Sequence, residues 1–385
     1  MMTVEHLLTK THATFYKNGK NILCHDLDEG YRYTTKKIIN LKTGEESCFD
    51  FSELEKLLSE INIQKSFEKP IVVNLYYELG LLLELNEVLD QEIVLCDFLK
   101  FKATKELPVS VNLKNVNFSF KNKISSEEYH RCFNEVYQNL LDGNCYQLNL
   151  TKVFDVAFDC SIEELYQNFL SAKNRSSFAH SIFIENMNSL ILSNSPECLF
   201  EIKEEELYTR PIKGTLSDKL DVKLLTEDEK NNSELSIITD LLRNDLSRIG
   251  NYFSEVVSLK EVFHVPGLIH QFSEIKVKLE ESVSLLRIIQ ALFPGGSITG
   301  APKKRVLKLI NVIESQTRGA YTGSTIILFG KMKSCSINIR TANVDIKKSV
   351  LQYGAGGGIT LLSKCDEEYD EMISKVESFF TLFKC

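Results

Sequence analysis

Short β-rich runs alternate with single amphipathic helices along the 385-residue chain. Phe133, Val136 and Leu140 stand at helical spacing, and the Asp-Gly-Asn turn at 142–144 ends the helix that they predict. Residues 145–151 then alternate between apolar and polar side chains, which predicts a strand. This alternation fits a layered body of sheet and helices, and other layered folds remain open at this point. The length allows two domains or one large body with a substantial core.

Composition excludes several classes of function. The net charge of −8 argues against a nucleic-acid-binding protein, which needs a basic face. The longest apolar runs, such as 79–85, are too short to span a membrane, and the first residues lack the pattern of a secretion signal. The ten cysteines form no C-x-x-C pair, which favours reduced thiols. We therefore expect a cytoplasmic protein that binds neither nucleic acid nor membrane.

The segment 209–215 presents a lysine directly after a predicted strand at 198–208. Pro211 fixes its own φ angle, and Gly214 lets another group approach the backbone closely. The sequence therefore predicts that Lys213 is displayed on a braced turn. A solvated lysine on a surface turn is the alternative.

Polar residues on two other predicted strands form a second group of candidates. Gln147, Asn149 and Thr151 would share one strand face, which is either the solvent side of a sheet or the wall of a polar pocket. Pro196 interrupts strand pairing, so Glu197 is predicted at a strand edge or bulge. A carboxylate there is either functional or simply exposed.

Two predicted helices carry further carboxylates. A helix at 233–249 would place Glu234 in its first turn, where a carboxylate usually complements the helix dipole. A helix at 366–383 would place Glu368, Glu371 and Lys375 on one face, either as a solvated row of salt bridges or as ligands. Between these helices, the Gly-rich loop at 293–304 can present backbone N–H groups to an anion, although it is not a Walker A sequence.

Taken in order, these motifs resemble those of the chorismate-utilising enzymes. The resemblance covers about residues 120–385, and its motifs lie at 146–150, 195–197, 211–215, 240–246, 294–303, 318–321, 339–341, 356–359 and 368–371. It implies an α+β fold in which two large antiparallel β-sheets pack as a sandwich, with helices outside and the site in a central cleft. It also implies an N-terminal region at 1–118, which adds strands to the same body, and a chorismate-binding catalytic domain at 119–385.

Two positions distinguish members of this family. Members that add water to chorismate carry a lysine where this chain has Gln147. Members that form anthranilate read Pro-Ile-Ala-Gly-Thr where this chain has Lys213 in the third position. The resemblance therefore implies amination at C4 of chorismate, on the route to p-aminobenzoate and folate, with Lys213 as a covalent nucleophile. Amination at C2 with loss of pyruvate is the alternative.

The resemblance also assigns roles to single residues. It implies that Glu197 protonates the departing hydroxyl, that His270 lies near this leaving group, and that Mg²⁺ is the cofactor. The implied Mg²⁺ ligands are Glu234 and Glu371, with Glu368 as an auxiliary. The implied substrate-binding residues are Gln147, Gly214, Thr215, Tyr321, Arg340, Gly356, Gly357, Gly358 and Lys375. One departure is Asn231, where the family often has an acidic residue.

The ammonia source is expected to be another protein. No Gly-x-Cys-x-Gly nucleophile loop is visible in the chain. The resemblance therefore implies that a separate glutamine amidotransferase subunit supplies ammonia to this chain.

Overall fold

The computed structural model of the chain describes residues 4–87, 91–108, 115–122, 124–265 and 268–384. Its strands are β1 (His12–Lys17), β2 (Lys20–Thr34), β3 (Lys37–Asn40), β4 (Glu46–Cys48), β5 (Phe67–Leu75), β6 (Val94–Leu107), β7 (Phe118–Phe120), β8 (Gln147–Phe158), β9 (Phe178–Ile184), β10 (Ser189–Ser195), β11 (Cys198–Lys203), β12 (Glu206–Arg210), β13 (Ile212–Ser217), β14 (Glu255–Val265), β15 (Leu268–Lys278), β16 (Gly300–Ala301), β17 (Ser324–Gly330), β18 (Met332–Ile337), β19 (Thr341–Asp345) and β20 (Val350–Ile359).

The helices are α1 (Val4–Leu7), α2 (Phe51–Glu60), α3 (Tyr77–Leu85), α4 (Ser126–Leu141), α5 (Ile162–Ser171), α6 (Lys223–Thr226), α7 (Glu229–Leu246), α8 (Leu285–Leu292), α9 (Lys303–Ile313) and α10 (Cys365–Phe380). Short 3₁₀ helices cover Glu185–Met187, Gly296–Ile298 and Thr381–Phe383.

The strands pair antiparallel in one continuous sheet that curls into two facing halves. The first half has the order β7-β8-β20-β19-β10-β9-β1. The second half has the order β2-β6-β5-β17-β18-β11-β12-β15, and both β13 and β14 pair with β15. The pairing of β1 with β2 joins the halves. The sheet curls so that its two ends face each other across one cavity. β8 and β20 lie on one side of this cavity, and β13 and β15 lie on the other side.

Three apolar cores follow from this layering. Phe101, Ile182 and Ile327 belong to the core between the two halves of the sheet. A second core joins the first half to α4, α5, α9 and α10, and a third joins the second half to α2, α7 and α8. β9 therefore contacts apolar side chains on both faces, with Ile182 inside and Phe183 toward the helices. Burial on both faces explains why this strand ends in three successive apolar residues, 182–184.

The predicted α+β fold, with layered antiparallel strands and helices outside, is confirmed. The two layers are hydrogen-bonded to each other through β1 and β2, so they form one curled sheet. Strands from the N-terminal region join it, since β1 pairs with β9 and β5 pairs with β17. The division of the chain at residue 118 stays a prediction.

Three local predictions were wrong. The predicted strand at 198–208 is a hairpin of β11 and β12, because the acidic run 204–206 turns at Glu204, whose φ is +55°. Lys213 lies in β13 and not on a turn. Helix α7 begins at Glu229, four residues before the predicted start, because the Asp228 side chain caps it by accepting a hydrogen bond from the backbone N–H of Asn231. Glu234 is therefore beyond the first turn, and the helix-dipole interpretation no longer applies to it.

Candidate active site

A cavity of about 550 Å³ lies between the two ends of the curled sheet, with α7 and α10 beside it. Most of the residues predicted to act in the site line this cavity. They are Glu197, Lys213, Gly214, Glu234, His270, Tyr321, Arg340, Gly356, Gly357, Gly358, Glu368, Glu371 and Lys375. Side chains that are up to 178 positions apart in the sequence thus face one space.

Lys213 enters the cavity from a bulge in β13. The pairing of β13 with β15 shifts register between Lys213 and Thr215, and Gly214 between them has φ of +68°. A Cβ atom on Gly214 would lie 2.5 Å from Leu225 Cδ1, so this position needs glycine both for its φ angle and for space. The Lys213 side chain is only 14% exposed, and its Nζ lies 3.0 Å from Glu234 Oε2. It is not a solvated surface lysine.

Glu197 lies between β10 and β11, where its backbone N–H donates to Ser195 Oγ at 3.1 Å. Its side chain is buried, and its Oε1 atom has no hydrogen-bond partner within the described residues. Burial raises the pKa of Glu197, while the Ser297 hydroxyl and the charges of Lys213 and Lys375 act in the opposite direction. The net direction is upward, which favours a carboxyl group that carries a proton.

His270 occupies the wall beside Lys213. It lies on β15 directly opposite Thr215, and its ring centroid is 5.2 Å from that of Phe263. Burial lowers the pKa of His270, the positive charge of Arg340 adds to this effect, and a hydrogen bond with the Gly214 backbone opposes it. The imidazole is therefore neutral at neutral pH.

Carboxylates and lysines alternate along the faces of α7 and α10 that line the cavity. Lys230 forms an ion pair with Glu368 and lies 3.8 Å from Glu234. Burial lowers the pKa of Lys230, but the charges of Glu368 and Glu234 outweigh this effect and raise it. On α10, Lys375 Nζ lies 2.8 Å from Glu371 Oε1. The Glu371 side chain is 52% exposed, whereas Glu234 and Glu368 are buried.

The pKa of Glu371 also reflects this cluster. Burial raises it, but the positive charges of Lys375, Lys230 and Lys213 outweigh burial, so the pKa of Glu371 lies below its ordinary value. The carboxylate is ionised at neutral pH and is available to a cation.

The carboxylates that line the cavity are suitable Mg²⁺ ligands once their ion pairs with Lys213 and Lys230 separate. Within the described ranges, no three acidic, histidine or cysteine side chains stand close enough together to hold a metal as they are. Ammonium groups fill that space, because Lys213 and Lys230 contact Glu234 and Lys230 contacts Glu368. Hard carboxylate oxygens facing one cavity are the donors that Mg²⁺ prefers, and they already attract cations here.

The opposite wall is built from β20 and the turn before β19. Gly354 has no room for a side chain, since a Cβ atom there would lie 2.0 Å from Tyr321 Cδ1. Lys375 Nζ donates a hydrogen bond to the carbonyl oxygen of Gly356 at 2.9 Å. Arg340 also lines this wall and has φ of +51°, a backbone angle that is uncommon outside glycine and often found at functional sites.

Of the other two predicted substrate-binding residues, Gln147 is placed differently and Thr215 is described by its backbone alone. Gln147 is fully buried and is not among the residues lining the cavity; its Nε2 donates to Asn149 Oδ1 at 3.2 Å. The neighbouring positions on the same strand face, Asn149 and Thr151, do line the cavity, so this face of β8 is a pocket wall. The backbone of Thr215 lies in β13, and its side chain is outside the part of the chain that the structure describes.

Sequence reasoning missed Lys230 and Ser297, which both line the cavity. Lys230 precedes Glu234 by four residues, so the two share a helix face once α7 is known to begin at Glu229. Ser297 lies in the Gly-rich loop, for which the sequence predicts only that backbone N–H groups face an anion. Its hydroxyl is buried without a hydrogen-bond partner of standard geometry in the described residues.

The chain is similar to known proteins in both sequence and fold. The model of the chorismate binding enzyme family matches residues 77–381. The chain is 36% identical over 261 residues to aminodeoxychorismate synthase component 1 of Salmonella typhimurium, which covers 65% of the chain and 56% of that relative. It is 35% identical over 269 residues to the protein of the same name from Escherichia coli. This match covers 67% of the chain and 58% of that relative. The matches thus span somewhat more than half the length of these relatives.

The fold also matches solved structures. Anthranilate synthase component I from Streptococcus pneumoniae superimposes with a TM-score of 0.77 at 21% identity, covering 95% of this chain and 93% of that one. No helix within the described ranges is long and apolar enough to cross a membrane. The family match extends over most of the chain and includes every residue that lines the cavity. The chain therefore belongs to the chorismate binding enzyme family.

Proposed function

We propose that this chain aminates chorismate at C4 and forms 4-amino-4-deoxychorismate, a precursor of p-aminobenzoate in folate synthesis. The observation that carries this proposal is that the Lys213 amine and the buried carboxyl group of Glu197 line the same cavity. The two relatives at 35–36% identity, both named aminodeoxychorismate synthase component 1, support the same reaction. The enzyme would be an amino-group transferase.

The chemistry divides one difficult substitution into two steps. The neutral Lys213 amine forms a bond to C2 of chorismate, the ring double bonds shift, and the C4–O bond breaks. Glu197 donates its proton to the departing hydroxyl, which leaves as water. Ammonia then forms a bond to C4, the double bonds shift back, and the C2–N bond to Lys213 breaks. One ammonia enters and one water leaves overall.

The ion pairs of the cavity set a condition for the first step. Lys213 Nζ lies 3.0 Å from Glu234 Oε2, and this ion pair involves the protonated lysine. An amine attacks only without that proton, so the contact must open before the bond to C2 forms. His270, which is neutral and adjacent, can hold a hydrogen bond near the departing hydroxyl.

Charge balance supports Mg²⁺ as the cofactor. With Glu197 protonated and Lys213 as the neutral amine, as the first step requires, three carboxylates (Glu234, Glu368 and Glu371) and three basic side chains (Lys230, Arg340 and Lys375) that line the cavity carry charge, so their formal charges cancel. Chorismate brings two negative charges, which a divalent cation would offset. Glu234 and Glu371, with Glu368 as an auxiliary, would hold the ion, whose positive charge would attract a carboxylate of the substrate. Arg340 and Lys375, with the backbone N–H groups of 356–358, would bind the remaining anionic groups.

Amination at C2 with loss of pyruvate, which forms anthranilate, is the second candidate. The fold similarity to an anthranilate synthase component is compatible with it. Direct amination at C2 needs no lysine, however, and the partly buried Lys213 would then have no chemical role. The proposed C4 reaction uses it.

We also propose a protein partner and a cellular location. The relatives are named component 1, which agrees with a separate glutamine amidotransferase subunit that supplies ammonia to this chain. A folate precursor made from chorismate in this way would be produced in the cytoplasm, where the reduced cysteines of the sequence also fit.

The product identifies the reaction. Purified chain, chorismate, ammonium and Mg²⁺ should yield 4-amino-4-deoxychorismate, identified by mass and chromatographic retention. Without ammonia, chorismate should leave an adduct on the peptide 209–215 that carries Lys213. Anthranilate as the main product would establish the second candidate, and the absence of any aminated product would overturn both.

A further inference from the structure

Lys230 occupies the space between two of the proposed metal ligands. It forms an ion pair with Glu368 on α10 and lies 3.8 Å from Glu234 Oε1, four residues later on its own helix. Residues at i and i+4 share a helix face, so α7 itself directs this lysine at Glu234. The contact with Glu368 depends on the packing of α7 beside α10 and connects residues 138 positions apart.

The two carboxylates need a positive charge nearby. The side chains of Glu368 and Glu234 are 2% and 7% exposed, and a buried carboxylate without a counter-charge is strongly destabilising. Among the described residues, Lys230 is the side chain that contacts both of them. Asn231 also lines the cavity and adds no charge that would offset the lysine.

A divalent cation and the Lys230 ammonium cannot share these oxygens. A metal held by Glu234 and Glu368 would replace the lysine as counter-charge and would repel it. The lysine side chain is 29% exposed, so its charged end can move into solvent while its methylene groups remain packed. Displacement of Lys230 is therefore part of the free-energy change of metal binding.

We propose that Lys230 is a resident counter-cation that holds Glu234 and Glu368 together until a divalent cation displaces it, and that this competition weakens metal binding. Lys230 is thus a positioning residue of the metal site. The inference rests on the metal site of the proposed function. It predicts that removal of this positive charge strengthens metal binding, whereas a residue that only supports the fold would weaken binding when replaced.

Direct metal binding tests the competition without any turnover. Mn²⁺ would serve as the probe, and its dissociation constant would be measured by electron paramagnetic resonance on the full chain in the absence of chorismate. Lys230→Met removes the charge and keeps the apolar length, and Lys230→Arg keeps the charge. We expect Lys230→Met to bind Mn²⁺ at least about tenfold more tightly than wild type, which corresponds to about 1.4 kcal/mol. Lys230→Arg should not tighten binding.

Lys364→Met is the matched control. Lys364 stands four residues before Glu368, as Lys230 stands four before Glu234, but its Nζ contacts the exposed Glu367 at 2.8 Å. The same charge is lost in both variants. If the effect of Lys230 is local, Lys364→Met should change the dissociation constant less than about threefold, because exposed charges are screened.

The outcomes separate the two proposals. Glu371→Gln in the Lys230→Met background should weaken binding again, which would assign the Mn²⁺ ion to this site. In a different outcome, wild type binds Mn²⁺ in a manner that depends on Glu371, while Lys230→Met binds it equally well or more weakly. That result would refute the competition with Lys230 and would support the metal site. If neither protein binds Mn²⁺, both proposals are wrong. If Lys364→Met tightens Mn²⁺ binding as much as Lys230→Met does, the effect comes from the net charge of the protein. That result would also refute the proposal.

Discussion

Replacement of Glu197 by glutamine should stabilise the protein and impair its chemistry at the same time. The Glu197 side chain is buried, and its Oε1 atom has no hydrogen-bond partner in the described residues. Burial raises the pKa of Glu197 in the folded state above the unfolded value of 4.5. At pH 8 the folded protein must therefore either keep a charge in this site or bind a proton. Glutamine has the same shape and requires neither.

The sign and size of the effect follow from linkage. A carboxyl with a raised folded-state pKa contributes stability that is fully present below the unfolded pKa and is lost as pH rises through the folded pKa. Wild type should thus be less stable than Glu197→Gln at pH 8 and similar to it near pH 4. Burial of a polar group without its full set of partners costs about 1–3 kcal/mol, so this is the difference expected in the free energy of unfolding at pH 8.

Denaturant unfolding at several pH values would measure this difference. Glu377→Gln provides the control, because Glu377 is an exposed glutamate on α10 and its replacement should be nearly neutral at every pH. Turnover by Glu197→Gln should fall by about 10²–10⁴-fold, as expected when a general acid is lost. A variant that is less stable than wild type at pH 8, or one whose stability difference is the same at pH 4 and pH 8, would refute the reasoning.

Further predictions concern other parts of the site. Lys213→Ala should abolish the covalent adduct and lower formation of 4-amino-4-deoxychorismate. An unchanged rate with an unchanged product would exclude the nucleophile role of Lys213, whereas formation of some anthranilate by direct amination would be compatible with that role. Glu371→Ala should weaken Mg²⁺ binding by at least about tenfold and remove most activity, whereas full wild-type turnover in a strong chelator would contradict the metal requirement. Gly354→Ala should displace the Tyr321 ring and raise the KM for chorismate, which steady-state kinetics would detect. The isolated chain should use ammonium and not glutamine, and glutamine-dependent turnover by pure chain would contradict a separate amidotransferase.

Local signals in the sequence predicted local structure well. Ser125 and Glu128 have the spacing of a capping box, and the Ser125 side chain accepts a hydrogen bond from the Glu128 backbone N–H at 3.0 Å. Helix α8 likewise begins after Ser284, which caps it in the same manner. These features depend on residues three positions apart, so the sequence alone contains the information.

Features that depend on packing were not predictable in this way. The first turn of α7 is polar and lacks apolar periodicity, so its sequence resembles a loop, and Lys230 was overlooked. The contact between Lys230 and Glu368 exists only because the fold brings α7 and α10 to one cavity. The burial of Gln147 is similar. The alternation along β8 places it on the same strand face as Asn149 and Thr151, but what covers that face depends on the packing of distant elements.

The N-terminal region supports the cavity without lining it. Among the described residues, every one that lines the cavity lies at or after Asn149. Glu78 on α3 is buried, and its carboxylate accepts hydrogen bonds from the backbone N–H groups of Arg318 at 2.7 Å and of Gly319 at 3.1 Å. These groups belong to the turn that leads to Tyr321 on the cavity wall. Since β5 also pairs with β17 directly after this turn, the N-terminal region holds the Tyr321 segment from two sides. The geometry of this cavity wall therefore depends on residues that do not themselves line the cavity.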